Sequence, residues 1–161
     1  MVKLEFGIVH EGCLVNELSR ALPEVRLICP GGHILGPSSV EEILVIDQPG
    51  ETDAEAVLDH LRRTPGVTEV ELLERAGGRA FIRLAAGAVP AAGFVSEAVA
   101  RNRCFRLGTE VQLGGVEHWQ VGCARPSDVQ QLLQDLEGMG EIKYHSVSEV
   151  SWQGLLEPSP G

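Results

Sequence analysis

Residues 2–29, VKLEFGIVHEGCLVNELSRALPEVRLIC, carry the pattern on which the fold turns. Val2–Val9 alternates apolar and polar positions as a half-buried strand does. Leu14, Leu18, Ala21 and Leu22 then fall at helical spacing, and Pro23 closes that helix. Val25–Cys29 is a short apolar run of strand character. The opening is therefore strand–helix–strand.

Working outward, Pro30–Ser39 is rich in Gly, Pro and Ser and reads as a loop. Glu42–Asp47 (EILVID) reads as a buried strand. Thr52 or Asp53 can cap a helix with Ala54, Val57, Leu58 and Leu61 on one face, ended by Pro65-Gly66. Val67–Glu74 completes the order β-α-β-β-α-β. The remainder repeats that order: strand Arg79–Leu84, helix Ala91–Ala100, strand Cys104–Leu107 with a continuation towards Val111, and strand Val116–Cys123. A helix Asp128–Glu137 capped by Ser127 and a last strand Glu141–Val150 complete the second half. The fold class expected is α+β, with two tandem ferredoxin-like (βαββαβ) units, each an antiparallel sheet with helices on one face. Residues 1–76 form the first unit, 79–152 the second, and 153–161 a tail or linker.

Composition narrows the function. The formal net charge is −10, with no Lys/Arg run to offset it, so direct nucleic-acid binding is not expected. Arg101–Arg106 (RNRCFR) reads as a solvated helix end. No stretch approaches the roughly 20 apolar residues needed to span a bilayer, and no leader pattern opens the chain. A cytoplasmic protein is expected, with its four cysteines reduced.

Two pairs of residues stand out for chemistry. His10 and Cys13 form H-x2-C where the first strand enters its helix, and Cys29 and His33 form C-x3-H where the second strand enters its loop. In a βαββαβ sheet the first two strands run parallel with the third between them. Their C-terminal ends would then lie about 10 Å apart on one edge. His10, Cys13, Cys29 and His33 are thus the candidate ligands of zinc or another divalent transition metal. The plainer reading packs Cys29 in the core and leaves the histidines in water. Cys13, at a helix N-terminus and near His10, also suits a nucleophilic or redox-sensing thiol. Glu17, one turn on, could orient His10, although such a glutamate is more often solvated. Alternation in VEHWQVGC puts Trp119, Val121 and Cys123 on a core face, with His118 and Gln120 opposite. Cys104 reads as buried, and His60 as solvent-facing.

The stretches VKLEFGIVHEGCLVNELSRALPEV and VEHWQVGCARPSDVQQLLQDLEGMGEIKYHSVSEV resemble the N-terminal regulatory region of the mostly archaeal bacterio-opsin-activator-like helix-turn-helix regulators. His10, Cys13, Glu17, Leu18 and Pro23 fill the places of that opening motif. Leu14 departs from it, since the family usually has an aromatic residue after the cysteine. No helix-turn-helix is found up to Gly161. The resemblance implies a ligand- or metal-responsive region in transcription control that does not itself bind DNA. The function expected is a regulatory module taking a small molecule or metal ion, in a homo-oligomer. The alternatives are a small enzyme or redox sensor using Cys13 with His10, and an interaction module without a site.

Overall fold

The computed structural model describes residues 1–36, 39–87 and 90–156, with the side chains of 33–35 outside the described set. Nine strands and four α-helices succeed one another as β1 (Val2–His10), α1 (Leu14–Ala21), β2 (Arg26–Gly36), β3 (Ser39–Asp47), α2 (Asp53–Arg63), β4 (Val67–Ala76), β5 (Arg79–Ala86), α3 (Val95–Arg101), β6 (Cys104–Arg106), β7 (Glu110–Leu113), β8 (Val116–Cys123), α4 (Pro126–Glu137) and β9 (Gly140–Glu149). A short 3-10 turn, Trp152–Leu155, opens the segment read as a tail, and 157–161 lie outside the described residues.

The strands form one mixed α/β architecture with a single continuous sheet, not two. Its order is β4-β5-β3-β2-β7-β8-β1-β9, with β6 added to β8, and every pairing among the described residues is antiparallel. Strands from the two halves of the chain are interleaved in this order. β1 lies between β8 and β9, and β5 lies between β3 and β4. The expected neighbourhood of the first two strands is therefore overturned. β7 and β8 stand between β1 and β2, and three antiparallel steps make β1 and β2 antiparallel to each other.

Burial explains how this holds together. One rung of paired residues, Ile8–Glu117–Gln112–Leu27–Ile46–Ala80, crosses six strands and is buried throughout. Residues of this face build two hydrophobic clusters, so all four helices cover one side of the sheet. One cluster joins Leu4, Phe6 and Ile8 of β1 to α3, α4 and β8; the other joins Ile82 and Leu84 of β5 to α1, α2, β2 and β3. Neither cluster is built from one half of the chain alone. The Gly77-Gly78 turn joins β4 to β5 and lies between the two expected units.

Several local readings are corrected. Of the run Pro30–Ser39 read as a loop, Pro30–Gly36 is strand, because β2 runs through Pro30 to Gly36 and pairs with β3, which starts at Ser39; residues 37 and 38 lie outside the described residues. Pro30, lacking an N–H, sits where the ladder skips between Ile28 and Gly31. The third helix begins at Val95 rather than Ala91, because Pro90 and Gly93 (φ 84°) form a turn and the Glu97 carboxylate accepts from the Phe94 N–H. In the fourth helix Arg125, not Ser127, is the N-cap, and Pro126 takes the first helical position, which needs no N–H. The run from Cys104 to Val111 divides into β6 and β7. Cys104 and Cys123, directly opposed on β6 and β8, are disulfide-bonded, which corrects the expectation of four reduced cysteines; Cys13 and Cys29 are free.

Candidate metal centre at the seam of the two clusters

β1 ends at His10, and the chain must turn at once to start α1. Gly12 takes a left-handed conformation (φ 73°) and the Cys13 N–H donates to the His10 carbonyl at 3.4 Å. This turn folds Cys13 back over His10, which is why H-x2-C spacing converges here. α1 is held down by polar side chains on its buried face. Asn16 donates to Gln112 Oε1 (3.1 Å) and to the Gly115 carbonyl (2.9 Å), and the Gly115 N–H donates to Ser19 Oγ (3.0 Å). These bonds seat the helix over β7 and β8, so Cys13 sits above the centre of the sheet.

Below it lies the one acidic residue of the buried rung. Glu117 is 2% exposed, and its Oε1 accepts from Trp119 Nε1 at 2.7 Å. Its other oxygen, Oε2, has no hydrogen bond and stands 3.3 Å from His10 Nδ1. His10 is 1% exposed, and its Nε2 lies 3.0 Å from the Gly93 carbonyl. A carbonyl can only accept, so Nε2 is the donor there, and Nδ1 is the ring nitrogen that faces Glu117 Oε2. Donor atoms of His10, Cys13 and Glu117 all lie within 4.8 Å of one another.

The three residues open into a cavity of about 300 Å³, also lined by Cys29, Glu42, Glu110, Arg106 and Trp119. Burial, then the Glu117 charge, raises the carboxyl of Glu42 above its ordinary range and that of Glu110 well above it. Burial is likewise the first cause that lifts the thiols of Cys13 and Cys29 well above the ordinary thiol value; for Cys13 the Glu117 charge comes second. The helix-start hydrogen bond from Asn16 pulls Cys13 down but does not prevail. The metal-free pocket therefore holds thiols, not the thiolate that a nucleophilic Cys13 needs. Arg106 donates to the Cys29 carbonyl and lies 5.2 Å from the Trp119 ring centre, bringing a permanent cation to the wall.

Of the four residues expected to meet, the structure brings His10, Cys13 and Cys29 to one cavity. It does so across β7 and β8, not along the expected sheet edge. His33 pairs with Glu41 in the β2–β3 hairpin, and its side chain lies outside the described residues. Glu17 is exposed and orients nothing in the site, whereas His60 is half-buried. Trp119, Cys123 and Cys104 are buried as expected. Glu117 is the ligand candidate that sequence reasoning misses, although its signal is present. Alternation that puts Trp119, Val121 and Cys123 in the core puts Glu117 there as well, and a charged residue on a core face marks a site.

Residues 3–142 match the HVO_2525_N family, an archaeal family of N-terminal domains. The chain belongs to this family. No curated protein matches it. The family match covers every residue of the candidate site. No helix among the described residues is long and apolar enough to cross a membrane.

Proposed function

We propose that this member of the HVO_2525_N family is a metal-responsive regulatory module that binds a divalent transition ion of the zinc class. His10 Nδ1, Cys13 Sγ and Glu117 Oε2 are the donors. The observation that carries the reading is the orphaned Oε2 of Glu117. A carboxylate oxygen removed from water with no donor costs several kcal/mol unless something positive meets it. An ion between Oε2, Nδ1 and Sγ meets it. The Nε2 contact to the Gly93 carbonyl and the Trp119 bond to Oε1 are the outer supports that such ligands usually have. A bound ion would also keep Cys13 as a thiolate against the burial that now protonates it.

Regulation enters through placement. The ligands sit where the two hydrophobic clusters meet, so occupancy would favour one packing of the clusters over another. The finer descriptions, two ferredoxin-like units with exchanged first strands, a homo-oligomer and a cytoplasmic place in transcription control, belong to the same proposal. They rest on the repeated element order, the open sheet face and the resemblance of the opening motif to bacterio-opsin-activator-like regulators. Direct nucleic-acid binding is not part of it, given the net charge of −10.

Elemental analysis of the purified chain tests the ion. One zinc or similar ion per chain is expected, and the His10→Ala/Cys13→Ala variant should lose it. A metal-free chain that also fails to take up added Zn2+ or Co2+ would overturn the proposal.

A further inference from the structure

Resting on that reading, we infer that Cys29 supplies the fourth ligand, so that each hydrophobic cluster contributes two donors and the ion ties the clusters together. Three donors leave a four-coordinate ion one position short. Cys29 lines the same cavity, and β2 holds it on the helix-covered side. Its neighbour two positions back, Leu27, pairs with Gln112, which pairs with Glu117. Cys29 itself is opposite Glu110. Arg106 grips the Cys29 carbonyl and so fixes the segment of β2 that presents the side chain.

The rival ligands in the cavity are carboxylates. Glu110 Oε2 already accepts from Gln112 Nε2 at 2.9 Å, and a second thiolate suits a zinc-class ion better than a further hard oxygen. Two thiolates and the Glu117 carboxylate against a divalent ion leave one negative charge, and the Arg106 guanidinium stands in the same wall to balance it. The origin of the ligands gives the inference its consequence. His10 ends β1, and Glu117 lies on β8, both strands of the cluster that includes Phe6 and Trp119. Cys13 belongs to the other cluster, and Cys29 packs against it. Only Glu11 and Gly12 separate His10 from Cys13, so the ion would clamp the point where the chain passes from one cluster to the other.

Co2+ binding to the full chain tests this, because thiolate-to-cobalt charge transfer counts thiolate ligands. The wild type should show the intensity of two thiolates. Cys13→Ser and Cys29→Ser should each show half, and the double variant none. Cys29→Ser should weaken Zn2+ binding at least about tenfold. In the wild type, stoichiometric Zn2+ should shield Cys29 as well as Cys13 from maleimide, which needs no variant to fold. One-thiolate intensity in the wild type, with Cys29→Ser unchanged and Cys29 still alkylated under Zn2+, would overturn the fourth ligand and leave the metal site standing. Failure of the wild type to bind Co2+ or Zn2+ at all would sink both.

Discussion

The two hydrophobic clusters are built alike and finished differently. Each packs two helices on strands drawn from both halves of the chain. The cluster around β1 and β8 stacks Phe6 parallel to Trp119, with ring centres 6.4 Å apart, and is cross-linked by Cys104–Cys123. The cluster around β2 and β3 is aliphatic, and its cysteines are free thiols at the rim. Between them runs a seam of buried polar groups: Asn16, Gln112, Glu117 and His10. Apolar burial suffices for either cluster. The seam has no such justification, because charge in a dry interior destabilises unless something compensates it. Its composition therefore points to binding.

Disturbing the clusters themselves should have the largest effects. Phe6→Ala removes a fully buried ring from β1 and should cost about 3–5 kcal/mol; Leu44→Ala in the other cluster should cost about 2–5 kcal/mol. Urea unfolding followed by Trp fluorescence and far-UV circular dichroism measures both. If clusters that each draw on both halves of the chain make one cooperative unit, each variant lowers a single shared transition. Separate transitions, with one variant moving only one of them, would show that the clusters unfold independently.

Reducing the Cys104–Cys123 bond, which spans 19 residues, should lower stability by about 3 kcal/mol on loop-entropy grounds. Unfolding with and without dithiothreitol checks this, in metal-free protein so that the free thiols do not confuse the result.

Glu117→Gln sharpens the contrast between seam and cluster. The amide keeps an oxygen for Trp119 and offers an N–H to His10 Nδ1, so the metal-free protein should gain about 1–3 kcal/mol. The same variant should lose most of its Zn2+ affinity. A destabilised metal-free variant would show that the carboxylate is already satisfied in the fold.

Acidity separates the two states of the seam. The carboxyls of Glu42 and Glu110 are raised in the folded chain, so the native state holds protons that the unfolded state gives up. Their contribution is full below the ordinary carboxyl value of 4.5 and is lost as pH rises through the raised values. The metal-free protein should thus weaken from pH 5 towards pH 8, and Glu110→Gln should flatten that slope. Zn2+ affinity should run the other way, since thiol ligands must lose protons. Urea titrations across that range, with and without Zn2+, read both slopes.

The smallest change is expected at the surface. Arg83 meets Glu41, Glu69 and Glu71 on the open sheet face, where water screens the charges. Arg83→Ala should leave the unfolding midpoint within error, whereas a clear drop would make the open face a contributor to stability.

Much of the local structure can be read directly along the chain. Alternation in VKLEFGIV and VEHWQVGC, helical spacing in LVNELSRA and DAEAVLDHLRR, and the repeated strand–helix order all depend on side-chain periods that neighbours in sequence establish. So does the meeting of His10 and Cys13, which needs only a four-residue turn with Gly12 at its bend. The segment from Pro30 to Gly36 reads as a loop although it is strand, because a proline and two glycines look the same in a loop as at a bulge.

The partners of each strand are a different matter. An alternating β1 fits beside the third strand of either half equally well by pattern, and only the summed burial of both clusters selects β8 and β9. Glu117 becomes a neighbour of His10 through that choice alone, across a separation of more than a hundred residues. Local pattern along the chain was enough to set most of the elements, their strand–helix order and the meeting of His10 with Cys13. Packing of the whole chain selected which strands pair, that Cys104 reaches Cys123, and that a carboxylate joins the seam, because pairing energies are non-local and register is set by which rows of side chains can be buried together.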